Sequence, residues 1–195
     1  MFCVGFGNFV SKHLVEALRR VSDRRVYHRS TRQAFLDLGS NPVTEFKPET
    51  ERRLREILER EEGIKHEVYL DHLGYPTCGI GHLITEADEE YGYDVGTPVS
   101  EERVTALFEA DLKIVDDDCW NLFDRFEDLP DNIQLVCAAM AFQLGRNRLS
   151  GFKKFRAAVN EGRWSDAVDE MIDSRWYRQT TARADRMIAL VREVE

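Results

Sequence analysis

The sequence predicts an α+β protein. It is mainly helical and two-lobed, with a small antiparallel β-sheet in the N-terminal lobe and an extra helical segment ahead of it. Three observations predict this. Beyond residue 100, apolar residues recur at three- and four-residue steps. Two short alternating stretches, His66 to Asp71 and Thr77 to His82, flank a turn pattern, His72-Leu73-Gly74-Tyr75. A separate helical stripe, Val10, Leu14, Ala17, Leu18 and Val21, precedes both, with Ser11 as a candidate N-cap. A chain of 195 residues can bury a substantial core as one domain, and 43% hydrophobic content excludes a disordered chain.

Residues 1–50 read as an extension. They carry eight Lys/Arg against five Asp/Glu, net +3, and a basic, partly aromatic patch from Arg24 to Arg32. The favoured reading is a helical layer packed on the main domain with a solvated basic edge; a membrane-surface or virion partner is the other. Asn41-Pro42 and Lys47-Pro48 mark the junction with the main domain.

A helix is predicted from Thr50 to Glu62, with Leu54, Ile57 and Leu58 on its apolar face. One further turn brings that face to Glu61 and Glu62, and Gly63 stands where a left-handed C-terminal cap is expected. Burial and the negative end of the helix dipole both raise the pKa of Glu62, which suits a general acid. The pair equally fits a plainer role, solvating a helix end. Asp71 falls at a strand end beside the turn, and Thr77 is expected across from it. A helix-end Glu facing a hairpin Asp is a carboxylate pair that can cleave a glycosidic bond, one group protonating the leaving oxygen and the other activating water. Gly79 and Gly81 leave room for a sugar chain to approach the backbone.

An acidic loop, Thr85 to Thr97, leads to Ser100-Glu101-Glu102, a helix start. Phe108, Leu112, Val115, Cys119, Leu122 and Phe126 form one seam along a long helix. Pro130 to Leu144 is the clearest helix, with Ile133, Val136, Cys137, Met140, Ala141 and Leu144 on one face and Gly145 closing it. Phe142 falls off that stripe, which fits a cleft lining or packing against the N-terminal layer.

Net charge is −9, and of the 31 acidic residues that follow residue 50 most lie between Glu86 and Asp131. That argues against nucleic acid as the main partner. Cys3, Cys78, Cys119 and Cys137 form no Cys-x-x-Cys pair and read as free thiols, those at 119 and 137 buried. No apolar run approaches the roughly 20 residues of a membrane span. Residues 1–10 are apolar but lack a basic leader, so no signal peptide is evident. His66, His72, Cys78 and His82 lack a metal-ligand spacing, Gly79-Ile80-Gly81 opens no dinucleotide-binding helix, and no serine elbow is present. No metal or cofactor is implied.

Glu62, eight residues, Asp71, five residues, Thr77, then Gly79-Ile80-Gly81-His82-Leu83 is a spacing that resembles the phage-type lysozymes, or muramidases. Phe142-Gln143-Leu144-Gly145, Ser174-Arg175-Trp176-Tyr177, Gln179-Thr180 and Arg183-Ala184-Asp185-Arg186 extend the likeness over roughly residues 51–190. The resemblance implies a lysozyme-like fold over residues 51–195: a small lobe at about 51–99, an interlobe helix at about 100–126 and a helical lobe at about 127–195. It implies catalysis by Glu62, Asp71 and Thr77, sugar contacts from Leu83 and Phe142, and pairing of Asp111 with His82. It also implies that Arg183 holds the Glu62 carboxyl, which lowers the pKa that burial and the dipole raise. Phe155 and Glu170 stand where the family has a Ser and an Asn that contact saccharide. The expected activity is hydrolysis of peptidoglycan between N-acetylmuramic acid and N-acetylglucosamine by a monomer, with inversion and with carboxyls roughly 6.5–9.5 Å apart. The alternative is a catalytically weak wall-binding or virion-structural module. The expected location is the host cytoplasm with holin-dependent release, or the virion.

Overall fold

The computed structural model describes residues 46–71 and 73–194. The stripe from Val10 to Val21, the basic patch, Cys3 and His72 lie outside the described residues.

Helix α1 (Pro48–Glu62) begins on a proline, whose missing N–H is no loss at the first helical position, and carries Glu49 and Glu51 in its first turn. Leu54, Ile57 and Leu58 are buried as their spacing predicts, and so is Glu62. Gly63 has φ +77°, which favours glycine, but its ψ of 171° is extended. The chain therefore leaves α1 straight into the sheet instead of curling back in the predicted left-handed cap.

Strands β1 (Lys65–Leu70), β2 (Pro76–Gly79) and β3 (His82–Leu83) form an antiparallel sheet in that order. The predicted single returning strand, Thr77 to His82, is thus two strands. Gly79 (φ +60°) and Gly81 (φ +73°) reverse the chain around Ile80. A Cβ at Gly79 would also stand 3.2 Å from Val104 Cγ1, tighter than ordinary van der Waals contact. The acidic loop then returns along the outer edge of β1. Val68 N–H donates to Thr97 O (2.9 Å), Gly96 N–H to Val68 O (2.8 Å) and Val99 N–H to His66 O (2.9 Å). This covers an otherwise open sheet edge.

Helix α2 (Glu101–Leu122) is capped by Ser100, whose Oγ accepts from Arg103 N–H. It stops a turn before the end of the predicted seam. Phe123 is extended, Arg125 has φ +47°, and Phe126 is buried in a short 3-10 turn, Phe126–Asp128. Helix α3 (Asp131–Ser150) breaks at Gly145 (φ +68°, ψ 161°), where the sequence closes the predicted helix. Every residue from Ile133 to Leu144 is buried, so α3 is a central helix without a polar side. Helices α4 (Lys153–Asn160), α5 (Trp164–Ile172), α6 (Arg175–Gln179) and α7 (Thr181–Arg192) complete the fold. Helices α1, α2 and α7 pack on α3, while β2 and β3 pack on α2. One core runs from Val68 and Ile80 through Phe108 and Met140 to Met171 and Val191. Cys78, Cys119 and Cys137 are buried free thiols. Among the described residues no helix is long and apolar enough to cross a membrane.

Candidate active site

Helix α1 delivers Glu62 to the interior; its side chain is 0% exposed. Arg183, in the first turn of α7, donates from Nη1 to Glu62 Oε1 (2.7 Å) and from Nη2 to the Glu61 carbonyl (2.7 Å). Two opposed effects therefore act on one carboxyl. Burial raises the Glu62 pKa; the Arg183 charge and hydrogen bond lower it, and the neighbouring Glu61 charge raises it again. The balance is upward, so burial outweighs the arginine.

Asp71 follows β1. Its N–H donates to Tyr75 O (2.9 Å), and its Oδ1 accepts from the N–H groups of Leu73 and Tyr75, each at 2.8 Å. The turn thus fixes the carboxylate through its own backbone. Thr77 pairs with Tyr69, not with Asp71 as expected, because the tight turn sets Asp71 opposite Tyr75. Alternation along the strands still places Tyr69, Asp71 and Thr77 on one face of the sheet. The buried Thr77 hydroxyl donates to Tyr75 O (3.0 Å). Burial, with added repulsion from Glu62, Cys78 and Asp71, pushes the Tyr69 phenol up to about 12. One phenol thus lies within electrostatic reach of both carboxylates.

Leu83 pairs with Thr77 across β2 and β3 and is 3% exposed. Phe142 is 8% exposed, its ring centroid 6.3 Å from that of Phe108. Its position off the α3 stripe carries no signal, since α3 is buried all round; Phe142 belongs to the core and offers only an edge to solvent.

The phage lysozyme family model matches residues 59–193 of this chain. The chain belongs to the phage lysozyme family. Over 156 residues it is 31% identical to "Probable T4-type lysozyme 2" of Dictyostelium discoideum, covering 70% of this chain and 92% of that protein. It is 32% identical over 162 residues to "Pre-baseplate central spike protein Gp5" of Enterobacteria phage T4, covering 71% of this chain but 27% of the spike protein. It is 30% identical over 135 residues to "Peptidoglycan hydrolase gp36" of Pseudomonas phage phiKMV, covering 69% of this chain and 14% of that one. It is a glycoside hydrolase of lysozyme type.

In this lysozyme-family enzyme His82 Nδ1 lies 2.9 Å from Asp111 Oδ2, the pairing the resemblance implies. Its Nε2 lies 3.4 Å from Asp88 Oδ1. Burial disfavours the charged ring, but the hydrogen bond to Asp111 and the nearby Asp88 carboxylate outweigh it and raise the pKa to about 9. Asp88 eluded the sequence reading. Its only local signal is Thr85, whose N–H and hydroxyl both donate to Asp88 Oδ2 at 2.7 Å.

A cavity of about 830 Å³ opens among helices α3 to α6, lined by Phe152, Phe155, Glu170, Trp176 and Thr180 among others; Glu62, Asp71 and Thr77 do not line it. Trp176 donates from Nε1 to Gln143 Oε1 (2.7 Å), joining α6 to α3. Phe155 and Glu170, the two departures from the family's saccharide contacts, thus line one cavity, with Lys154 Nζ 3.5 Å from Glu170 Oε1. Sequence reasoning also missed the contact of Arg186 with Glu61, although the three-residue step from Arg183 to Arg186 puts both on one helix face.

Proposed function

We propose that this enzyme is a muramidase, hydrolysing the β-1,4 bond between N-acetylmuramic acid and N-acetylglucosamine of peptidoglycan with inversion. The observation that carries the reading is geometric: a glutamate side chain fully buried at the end of α1, 2.7 Å from the Arg183 guanidinium, with the Asp71 carboxylate fixed at the sheet's turn; burial raises the Glu62 pKa. Such a group holds a proton at pH values where an ordinary carboxylate has lost it, and can pass it to a leaving glycosidic oxygen. Arg183 fixes its direction. Asp71, held by two backbone donors, orients and activates the attacking water and balances positive charge developing on the sugar. The Thr77 proton is committed to Tyr75 O, so its free lone pairs accept from that water. The edges of Leu83 and Phe142 lie under sugar rings, and the cavity at Phe155 and Glu170 takes a further part of the polymer. Residues 51–99 act as a small lobe and 127–195 as a helical lobe, joined at 100–126. The similarity to a protein named as a phage central spike favours a virion-associated route to the wall over holin-dependent release.

Glu62→Gln is the test. On purified peptidoglycan it is expected to sediment with the wall as the parent does, but to lose about 100-fold or more of the rate, the scale of general acid catalysis. NMR of the first product formed should show the inverted anomer. Undiminished release of reducing ends by Glu62→Gln removes Glu62 from the acid's role, and a parent protein that sediments with the wall but releases no reducing ends overturns the reading and favours a binding module.

A further inference from the structure

The densest ion cluster at the site is centred not on Glu62 but on its neighbour. The Glu61 side chain is only 5% exposed. Arg186 meets it with two parallel hydrogen bonds, Nε to Oε1 (2.7 Å) and Nη2 to Oε2 (2.6 Å). Arg60 Nε donates to Oε1 (3.1 Å), and Arg183 Nε stands 3.4 Å from Oε2. The same Arg183 donates to Glu62 at 2.7 Å and to the Glu61 carbonyl at 2.7 Å. One guanidinium is therefore held at three points, two on Glu61 and one on Glu62.

We propose that Glu61 is a positioning residue: it shares the Arg183 guanidinium with Glu62, fixing its orientation and drawing its charge away from the Glu62 carboxyl. The alternative arrangement, an Arg183 free to give both N–H donors and its whole charge to Glu62, would make a bidentate pair, the geometry that holds a carboxylate ionised most strongly. A general acid in that grip would have no proton to give. Glu61 blocks it on three grounds. Its carbonyl occupies Nη2, its carboxylate faces Nε, and its negative charge repels a second negative charge on Glu62. Burial then prevails at Glu62, whose pKa goes up, while Glu61 stays ionised: burial raises its pKa, but Arg186 and Arg60, with Arg183, lower it further. The charged and titratable groups facing the pair are Arg60 from α1, Arg183 and Arg186 from α7, and Tyr69 from β1.

The two neighbours predict opposite outcomes when altered. In Glu61→Gln, Arg183 turns its charge to Glu62 and the like-charge repulsion vanishes. The Glu62 titration midpoint, followed by carbon NMR of its carboxyl and assigned by its absence in Glu62→Gln, is expected to fall by about one pH unit, roughly tenfold less protonated form above the midpoint. In Arg186→Gln, Glu61 loses its bidentate partner, leans more on Arg183, and the Glu62 midpoint is expected to rise. Where Glu62 is the acid as proposed above, the alkaline limb of the wall-hydrolysis profile moves with the midpoint in each variant, while KM is little changed and Glu61→Asp restores part of the parent profile. Midpoints that stay put, or that move the same way in both variants, overturn the proposal, as does a rate that falls evenly at every pH. The NMR arm is independent of turnover: if Glu62→Gln keeps full activity the acid assignment fails, yet opposite midpoint shifts still uphold the role of Glu61.

Discussion

Glu62 sits in the fold in a state that is good for proton transfer and poor for stability. A carboxyl whose pKa is raised on folding binds its proton more tightly in the native state. Its stabilising contribution is complete below the unfolded value of 4.5 and is lost as pH rises through the folded value. At neutral pH the ionised side chain therefore destabilises the enzyme. Glu62→Gln keeps the shape and removes the ionisation, so we expect a higher melting temperature than the parent at pH 7. The gap should shrink toward zero near pH 4. For a chain of this size each 1 kcal/mol corresponds to about 2–4 °C, within reach of circular dichroism melts across pH 4–8. The residue is legible in sequence because its position follows from helix periodicity and Gly63. The winner between burial and Arg183 is not, because it depends on how completely α1, β1 and α7 exclude water from one side chain.

At the scale of elements, the sheet is tied to α2 by charge as well as by packing. His82 on β3 reaches Asp111 on α2 and Asp88 on the acidic loop. The folded pKa of His82 is about 9 against 6.5 in the unfolded chain. Its contribution is thus present in full below 6.5 and disappears as pH rises through about 9. Asp88 complements it from the acid side: burial raises its pKa, but the facing His82 ring and two hydrogen bonds from Thr85 bring it to about 2, so its share is present above 3.8 and lost as pH falls through 2. We expect His82→Gln to cost roughly 3 kcal/mol at pH 6, from the displacement of its titration, and much less above pH 9. Denaturant melts at pH 6 and pH 10 check this. The ends of elements were the least legible part of the chain. Helix α2 stops at Leu122 because Arg156, on α4, donates to the Leu122 carbonyl through Nε (2.9 Å) and Nη2 (2.7 Å). The apolar seam continues to Phe126, which is buried without being in that helix. A cap supplied from 34 residues away leaves no trace in local periodicity. The split of β2 from β3 was written in Gly79 and Gly81, but their reading as room for a ligand concealed their reading as a turn.

Across the whole molecule the charge is divided against itself. Residues 1–50 carry +3 and the remainder −12. Several of the acids are committed internally: Glu61 and Glu62 to arginines of α7, Glu90 to Arg103 through two hydrogen bonds, and Asp88 and Asp111 to His82. Others are exposed on the loop and on α2, including Glu86, Glu89, Asp94, Glu101, Glu102 and Glu109. Exposed charge of one sign slows approach to a polymer of the same sign until salt shortens the field, to about 10 Å at 0.1 M and about 8 Å at 0.15 M. Hydrolysis of an anionic wall by this enzyme should therefore rise as salt increases from about 0.01 M to about 0.15 M and then level off. An uncharged glycan oligomer of the same linkage supplies the control, with a rate that stays flat over that range because its encounter feels no long-range repulsion. Neutralising two exposed acids of the loop, Glu86→Gln with Glu89→Gln, should raise the low-salt rate on walls and leave the oligomer rate alone. A wall rate that falls with salt from the start would mean that attraction governs the encounter. The cationic residues between Arg24 and Arg32 are then the groups to change next, since the basic excess of the sequence is concentrated there.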